Sequence, residues 1–309
     1  MGRIRIGISG WRYPPWRGVF YPDRLPQRRE LAFASRAFST IELNGSFYSL
    51  QRPERFQSWY DETPADFVFG IKGSRYITHM LRLKGVERAL ANFFASGVFR
   101  LREKIGPFLW QFSPQLRYEP ETFEAFFQAL PRDLRQARST ASHHDERVAG
   151  RCDLDIDDNR PLRHAVEIRH ESFQDDAFVD QLRRHGIALV TSDAGRHWAC
   201  HDDVTADFVY LRLHGSEELY ASGYTNDALD RWARRIRAWA DGGEPDDARR
   251  ISARRPPGDG PRDVYCYFDN DAKVRAPVDA RTLMRKLGLA APADDVEADQ
   301  PDQRAPTAW

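Results

Sequence analysis

The chain is short of cysteine, lysine and net charge. Three cysteines occur among 309 residues, Cys152, Cys200 and Cys266, and no two form a Cys-x-x-Cys pair. That spacing argues against a disulfide scaffold or a zinc ribbon and fits a reducing compartment. No uncharged run approaches the roughly 20 residues that span a bilayer. The opening Met1-Gly-Arg-Ile-Arg-Ile-Gly-Ile-Ser has no apolar stretch of signal-peptide length. The expectation is a soluble, cytoplasmic protein without a membrane partner. Lys and Arg total 46, as do Asp and Glu, for a formal net charge of zero. Overall basicity therefore does not hold nucleic acid or anionic lipid, although a local basic cleft stays open. Only five of the basic residues are lysine and 41 are arginine, a bias that genome composition explains. Glycine-rich phosphate loops are missing as well. Gly7-Ile-Ser-Gly is too short for a dinucleotide fingerprint and lacks the Lys-Ser/Thr of a P-loop, so no tightly bound organic cofactor is expected.

Apolar material is plentiful, with 41% hydrophobic residues including eight Trp, eleven Tyr and nineteen Phe, enough for a large core. Short β-branched or aromatic runs predict strands at residues 3–8, 40–44, 67–72, 108–112, 165–169, 187–193, 208–214 and 264–269. Amphipathic stretches lie between them. Leu31, Ala34, Ala37 and Phe38 stripe the first, and Phe123, Phe126, Phe127 and Leu130 follow Pro120. Phe178, Val179 and Leu182 follow Asp175-Asp176; Leu229, Trp232, Ile236 and Trp239 follow a predicted Asn226-Asp227 cap. Strict β-then-α order with eight strands predicts an α/β fold, a single TIM-like (β/α)8 barrel of parallel strands over residues 1–289. The crossover 194–207 has no helical stripe, so one helix is expected to be short or missing. Segments 136–163 and 241–263 read as long loops. Residues 290–309 read as a disordered acidic, Pro/Ala-rich tail.

A strand buried on both faces should be apolar throughout, yet these strands turn polar on one face near their C-terminal ends. Ile41 and Leu43 oppose Glu42 and Asn44. Val166 and Ile168 oppose Glu167 and Arg169. Val209, Leu211 and Leu213 oppose Tyr210, Arg212 and His214. Lys72 closes the third strand, Gln111 the fourth, Asp193 the sixth and Asp269-Asn270 the eighth. Buried charge is costly unless paired, and this end of a parallel barrel is where active sites form. The candidate catalytic residues are Glu42, Glu167, His214 and Asp193. The candidate substrate-binding residues are Trp11, Tyr13, Asn44, Tyr48, Lys72, His79, Gln111, Arg169, Arg212 and Asn270.

The blocks Gly7-Ile-Ser-Gly-Trp-Arg-Tyr-Pro-Pro-Trp, Thr40-Ile-Glu-Leu-Asn-Gly-Ser-Phe-Tyr, Ile77-Thr-His, Ala165-Val-Glu-Ile-Arg-His-Glu-Ser-Phe, Tyr210-Leu-Arg-Leu-His-Gly and Tyr267-Phe-Asp-Asn-Asp follow one another in order. Together they resemble the YecE-like family, domain of unknown function 72, over about residues 3 to 288. The resemblance implies a TIM-barrel-like fold related in shape to the endonuclease IV and xylose isomerase group, and no established reaction. The chain departs from the family pattern at Asn44-Gly-Ser, where Asn-Ser-Thr is usual, and at Asp269, where Asn is usual. The loop before the eighth strand is also long.

Four chemistries suit such a set. In the first, Arg169 and Arg212 clamp a phosphate or carboxylate, Lys72 adds a point charge, and Glu42 or Glu167 with His214 or His79 moves protons on a small anionic substrate. In the second, His79, Glu167, His170, Asp193, His214 and Asp269 hold zinc or manganese and cut nucleic acid, against repulsion from Lys72, Arg169 and Arg212. The third is a glycoside hydrolase with Glu42 and Glu167 as paired carboxylates and Trp11, Tyr13 and Trp16 as a sugar wall, residues that equally suit a hydrophobic plug. The fourth is a non-enzymatic ligand-sensing or nucleic-acid-binding barrel, with Arg12, Arg17, Arg24, Arg28 and Arg29 among aromatics. A desolvated Lys72 would also suit a Schiff base. The first is the favoured reading, without metal; oligomeric state is left open.

Overall fold

The computed structural model describes residues 1–195, 197–215, 222–254, 256, 258–271 and 274–289; the expected tail at 290–309 lies outside them. Eight parallel strands close in sequence order into a barrel. They are β1 (Ile4–Ser9), β2 (Thr40–Leu43), β3 (Val68–Lys72), β4 (Ile105–Gln111), β5 (His164–Glu167), β6 (Ala188–Asp193), β7 (Phe208–Leu213) and β8 (Asp263–Phe268). Closure is made by β1 and β8, where Ile4 pairs with Val264 and Ile8 with Phe268. The helices are α1 (Glu30–Ala37), α2 (Gly45–Tyr48), α3 (Pro53–Glu62), α4 (Glu87–Ala95), α5 (Pro120–Ala129), α6 (Leu134–Ala141), α7 (Asp176–His185), α8 (Asn226–Ala240) and α9 (Arg275–Leu287). No helix among the described residues is long and apolar enough to cross a membrane.

Local chemistry sets the helix ends. The Asp175 carboxylate accepts from the Ala177 N–H, and Gly186 in the left-handed region closes α7. The cap of α8 is Thr225, whose hydroxyl oxygen accepts from the Ala228 N–H at 3.2 Å, one residue earlier than the sequence suggested. Helix α6 corrects the reading of 136–163 as loop throughout. Asp133 caps it, and Leu134, Ala137 and Ala141 are buried at helical spacing; two of the three are alanines, so the stripe is faint. Between β6 and β7 no helix occurs among the described residues, as that crossover's missing stripe predicts.

Two apolar layers result. Outward-facing strand residues such as Ile41, Phe69, Val166 and Leu211 pack against buried helix residues such as Leu31, Phe126, Leu182 and Trp232. Inside the barrel, Leu109, Ala165, Val190, Phe208, Tyr210, Tyr265 and Tyr267 form a separate cluster. This inner layer ends below Ser9, Glu42, Lys72, Gln111, Glu167 and Arg212, and so floors the polar mouth. Gly70 makes room for it. A Cβ there would lie 2.7 Å from the Tyr267 hydroxyl and 3.0 Å from that of Tyr210. Gly70→Ala should therefore lower unfolding stability by about 1–3 kcal/mol through overpacking. Gly45→Ala, whose Cβ would meet nothing closer than 3.6 Å, should be neutral or stabilising by up to about 1 kcal/mol. Urea denaturation of the two variants measures the contrast.

Candidate functional site

Period-two alternation turns Ser9, Glu42, Gln111, Glu167 and Arg212 into the top of the barrel, where Arg212 is fully buried. Its guanidinium occupies the centre. Nε and Nη2 donate to the two oxygens of Glu42 at 3.1 and 2.9 Å. Nη1 donates to Glu167 Oε2 at 2.8 Å, and Nη2 also reaches Asp269 Oδ2 at 2.8 Å. Three carboxylates thus share one planar cation, with the fork-to-fork geometry that arginine provides and lysine does not. The remaining oxygen capacity is taken up around them. The Ser9 hydroxyl donates to Glu42 Oε1 at 2.6 Å and the Tyr210 hydroxyl to Oε2 at 2.7 Å. The Gln111 amide donates to Glu167 Oε2 at 2.8 Å and the Ser192 hydroxyl to Oε1 at 3.2 Å. His214 bridges two of the acids, with Nε2 3.1 Å from Glu167 Oε1 and Nδ1 3.0 Å from Asp269 Oδ2.

The electrostatics follow from this packing. Burial alone would raise the Asp269 and Glu167 carboxyls. Arg212 outweighs it, aided by His214 at both and by Arg169 at Glu167, and holds both acids below the usual carboxylate range. The three acids in turn push the buried Arg212 well above its ordinary value, against the effect of burial. Lys72 behaves differently. Burial and the neighbouring Arg212 pull its ammonium down to about 8, against the attraction of Glu42, Asp269 and Glu167. Its Nζ sits 4.4 Å above the Phe47 ring. His79 is also lowered, first by burial and then by Arg169, Lys72 and Arg75. Its Nδ1 lies 2.8 Å from the Thr78 hydroxyl. Lys72 and Arg169 therefore form a cationic side of the mouth, with His79 beside them, and the acids form the other.

The remaining sequence candidates surround this centre or stand apart from it. Asn44 donates to the Ser9 hydroxyl at 3.0 Å. The Tyr13 hydroxyl donates to the Ser9 carbonyl at 2.5 Å. Trp11 packs edge-on against Trp59 at 5.6 Å, and Trp16 is fully buried with its Nε1 donating to the Asp271 carbonyl at 3.2 Å. Trp16 thus plugs the first loop and presents no ring face to a sugar. Trp11, Tyr13 and Asn44 line a cleft of about 760 Å³ together with Gln51, Arg55 and Trp59. Asp193 hydrogen bonds Tyr224, and its carbonyl accepts from the His214 N–H at 2.9 Å, so its side chain lies outside the Arg212 cluster. Asn270 donates to Asp279 at 2.8 Å and to the Ser222 carbonyl at 3.0 Å, which ties it toward α9. Tyr48 is 65% exposed, beside Arg75.

Arg212 does not pair with Arg169 as one clamp, because its nitrogens are turned to the acids. Arg169 instead stacks on Trp198, 4.2 Å from the ring centroid, and reaches Glu167 Oε1 at 3.3 Å. Trp198 was not singled out from sequence. It lies on the crossover without a helix, so no periodicity marks it. Its Nε1 donates to the Ser192 hydroxyl at 2.9 Å and its ring meets His214 edge-on at 5.4 Å. Arg169, His170, Gln174, His197, Trp198 and His201 line a second cleft of about 290 Å³. Asp271 was missed too. Burial and the adjacent Asp269 push its carboxyl up to about 6, against the influence of the nearby Tyr13 hydroxyl. Among the described residues, no group of three or more His, Cys, Asp or Glu is arranged to hold a metal ion.

A closed parallel barrel with its charged residues gathered at the C-terminal strand ends defines a TIM-like α/β protein. Residues 5–305 match the family described as "Protein of unknown function DUF72", and the chain belongs to that family. It is 22% identical to the UPF0759 protein YecE of Escherichia coli K12 over 252 residues, covering 76% of this chain and 82% of YecE. It is 32% identical to the UPF0759 protein YunF of Bacillus subtilis over 75 residues, about a quarter of each chain. Its fold is similar to that of a DUF72 family protein of Thermotoga maritima, with TM-score 0.67, 22% identity and coverage of 93% of this chain and 99% of the other. A DUF72 family protein of Enterococcus faecalis gives TM-score 0.66 at 16% identity, covering 93% and 96%.

Removing Arg212 would leave three buried acids without their shared cation. Arg212→Met should cost about 3–5 kcal/mol at pH 7. The pH dependence should also reverse. In the native chain the depressed carboxyls contribute stability above their unfolded pKa near 4, and that contribution fades as pH falls toward their folded values. In Arg212→Met the same acids, buried without the cation, have raised folded pKa values. Their penalty is present at neutral pH and eases as pH falls toward about 5. Denaturant unfolding at pH 5 and pH 7 measures both trends.

Proposed function

We propose that the mouth binds a small anionic compound, carboxylated or phosphorylated, and transfers protons on it. One observation carries this reading: among the described residues, Lys72 is a buried mouth cation that makes no ion pair and no hydrogen bond, while Glu42, Glu167 and Asp269 are all engaged by Arg212. An anion that settles against Lys72 gains a charge-assisted partner without displacing an existing one. Arg169, fixed by Trp198, supplies the second contact. Proton transfer falls to three groups. His79 is shifted toward its neutral form by burial and then by Arg169, Lys72 and Arg75, and its Nε2 has no hydrogen-bond partner among the described residues. Lys72 and Asp271, at about 8 and about 6, are the other two. Glu42, Glu167 and His214 act by holding the charge balance of the mouth. The cleft by Trp11, Tyr13 and Asn44 accommodates the remainder of the molecule.

The alternatives have less support. A glycosidic oxygen has to sit between its two carboxyl groups, and the Arg212 guanidinium lies between Glu42 and Glu167. A metal would have to compete with that same guanidinium for Glu167 and Asp269.

Calorimetric titration with inorganic phosphate and glycolate tests the reading. We expect saturable binding that is at least tenfold weaker in Arg169→Gln. Binding should also weaken as pH rises through about 8, because Lys72 is charged below that value and neutral above it. The reading is overturned if neither anion binds, or if binding appears only with added zinc or manganese and vanishes with chelator.

A further inference from the structure

We infer that Lys72 is a nucleophile, whose amine adds to the carbonyl carbon of an aldehyde or ketone and forms an imine with it. This deepens the reading above and rests on it for one point, the anchoring of the carbonyl compound through its anionic group at Arg169.

Arginine fills 41 of 46 basic positions, including the structural cation at the centre of the mouth. Arginine does not lose its proton in proteins, whereas a desolvated lysine does. The cation on β3 is one of only five lysines in the chain. The other described lysines sit in different surroundings. Lys84 pairs with Glu119 at 3.2 Å and Lys286 with Asp230 at 2.6 Å. Lys104 is buried like Lys72, but its ammonium donates to the Tyr60 and Thr63 carbonyls at 2.7 Å each and to the Thr63 hydroxyl at 3.0 Å. That pattern is structural. Lys72 has a phenyl ring beneath it and no oxygen acceptor among the described residues, so its lone pair, once freed, is not tied up.

The groups that act on this amine come from four other strands or their ends. Arg212 on β7 repels its proton. Glu42 on β2, Glu167 on β5 and Asp269 after β8 attract it, but each is held by Arg212. With the amine near 8, about a tenth of the molecules carry it neutral at pH 7, against fewer than about one in a thousand for a lysine at its ordinary value. The chemistry balances without an oxidant or reductant. Nitrogen adds to the carbonyl carbon, and a proton passes from nitrogen to oxygen to give a carbinolamine. Loss of one water then leaves a C=N bond, and water addition returns the free amine. The protonated imine bears the same single positive charge as the ammonium, so the field of the three acids that accommodates one accommodates the other.

The test treats the full-length protein at pH 7 with glyoxylate, an aldehyde carrying a carboxylate, or with propionaldehyde, an uncharged one. Sodium cyanoborohydride is present to reduce any imine, and modified lysines are located by peptide mass spectrometry. We expect Lys72 to be labelled by glyoxylate at least tenfold faster than Lys84, Lys104 or Lys286. Inorganic phosphate should slow that labelling, and Lys72→Arg should abolish it without changing the other sites. Labelling of Lys72 no faster than of the other three, in protein that binds phosphate calorimetrically, overturns the nucleophile and leaves the anion site standing. Equal, selective labelling of Lys72 by both aldehydes, indifferent to phosphate, supports the nucleophile and overturns the anion site. Should Lys72→Arg fail to fold, the rate comparison within the wild-type chain decides alone.

Discussion

The guanidinium of Arg212 is buried where water cannot reach it and is held by Glu42, Glu167 and Asp269 at once. Each of these four charges would be costly in isolation. Together they form a network in which the planar donors of Arg212 on β7 meet acceptors from β2, β5 and the end of β8. Closing the barrel brings those acceptors together, so the network and the closed sheet support each other. Ser9, Gln111, Ser192 and Tyr210 take the leftover hydrogen-bonding capacity, which satisfies a polar layer set directly on an aromatic one.

Because Arg212 claims the acids, the rest of the mouth divides in two. Lys72 and His79 are left in surroundings that disfavour their protonated forms. Arg169 is braced by Trp198 from a crossover in which no helix occurs among the described residues. Asp269 supplies the third carboxylate to Arg212 and a contact to His214. With asparagine there the guanidinium would have two anionic partners. The residue at this position therefore bears on the charge balance that Lys72 experiences.

Much of the fold was legible because eight short apolar runs alternate with amphipathic ones, and the observed strands begin and end within a few residues of those runs. Alternation along a strand also told which of Glu42, Glu167 and Arg212 share the interior. It could not tell distance, and so it could not reveal that Arg212 faces the acids and not a partner arginine. Helix α6 escaped notice because two alanines and one leucine make a weak stripe. Trp198 and Asp271 escaped because they lie on irregular connections, where no period fixes direction. Lys72 was visible as a strand-end cation, but its lack of an oxygen partner among the described residues emerges only when every neighbouring acid is assigned to another group.

The central claim is that Arg212 consumes the acidity of the mouth and leaves Lys72 to titrate near neutrality. A chain with five lysines permits a direct check, since selectively carbon-13-labelled lysine gives one side-chain signal per residue and Lys72→Arg assigns one of them. A signal assigned to Lys72 that titrates with a midpoint near 8, below the other lysines, is the result the account predicts. A midpoint at the ordinary lysine value of about 10.4 would mean that the acids stabilise the Lys72 ammonium after all, and would contradict it.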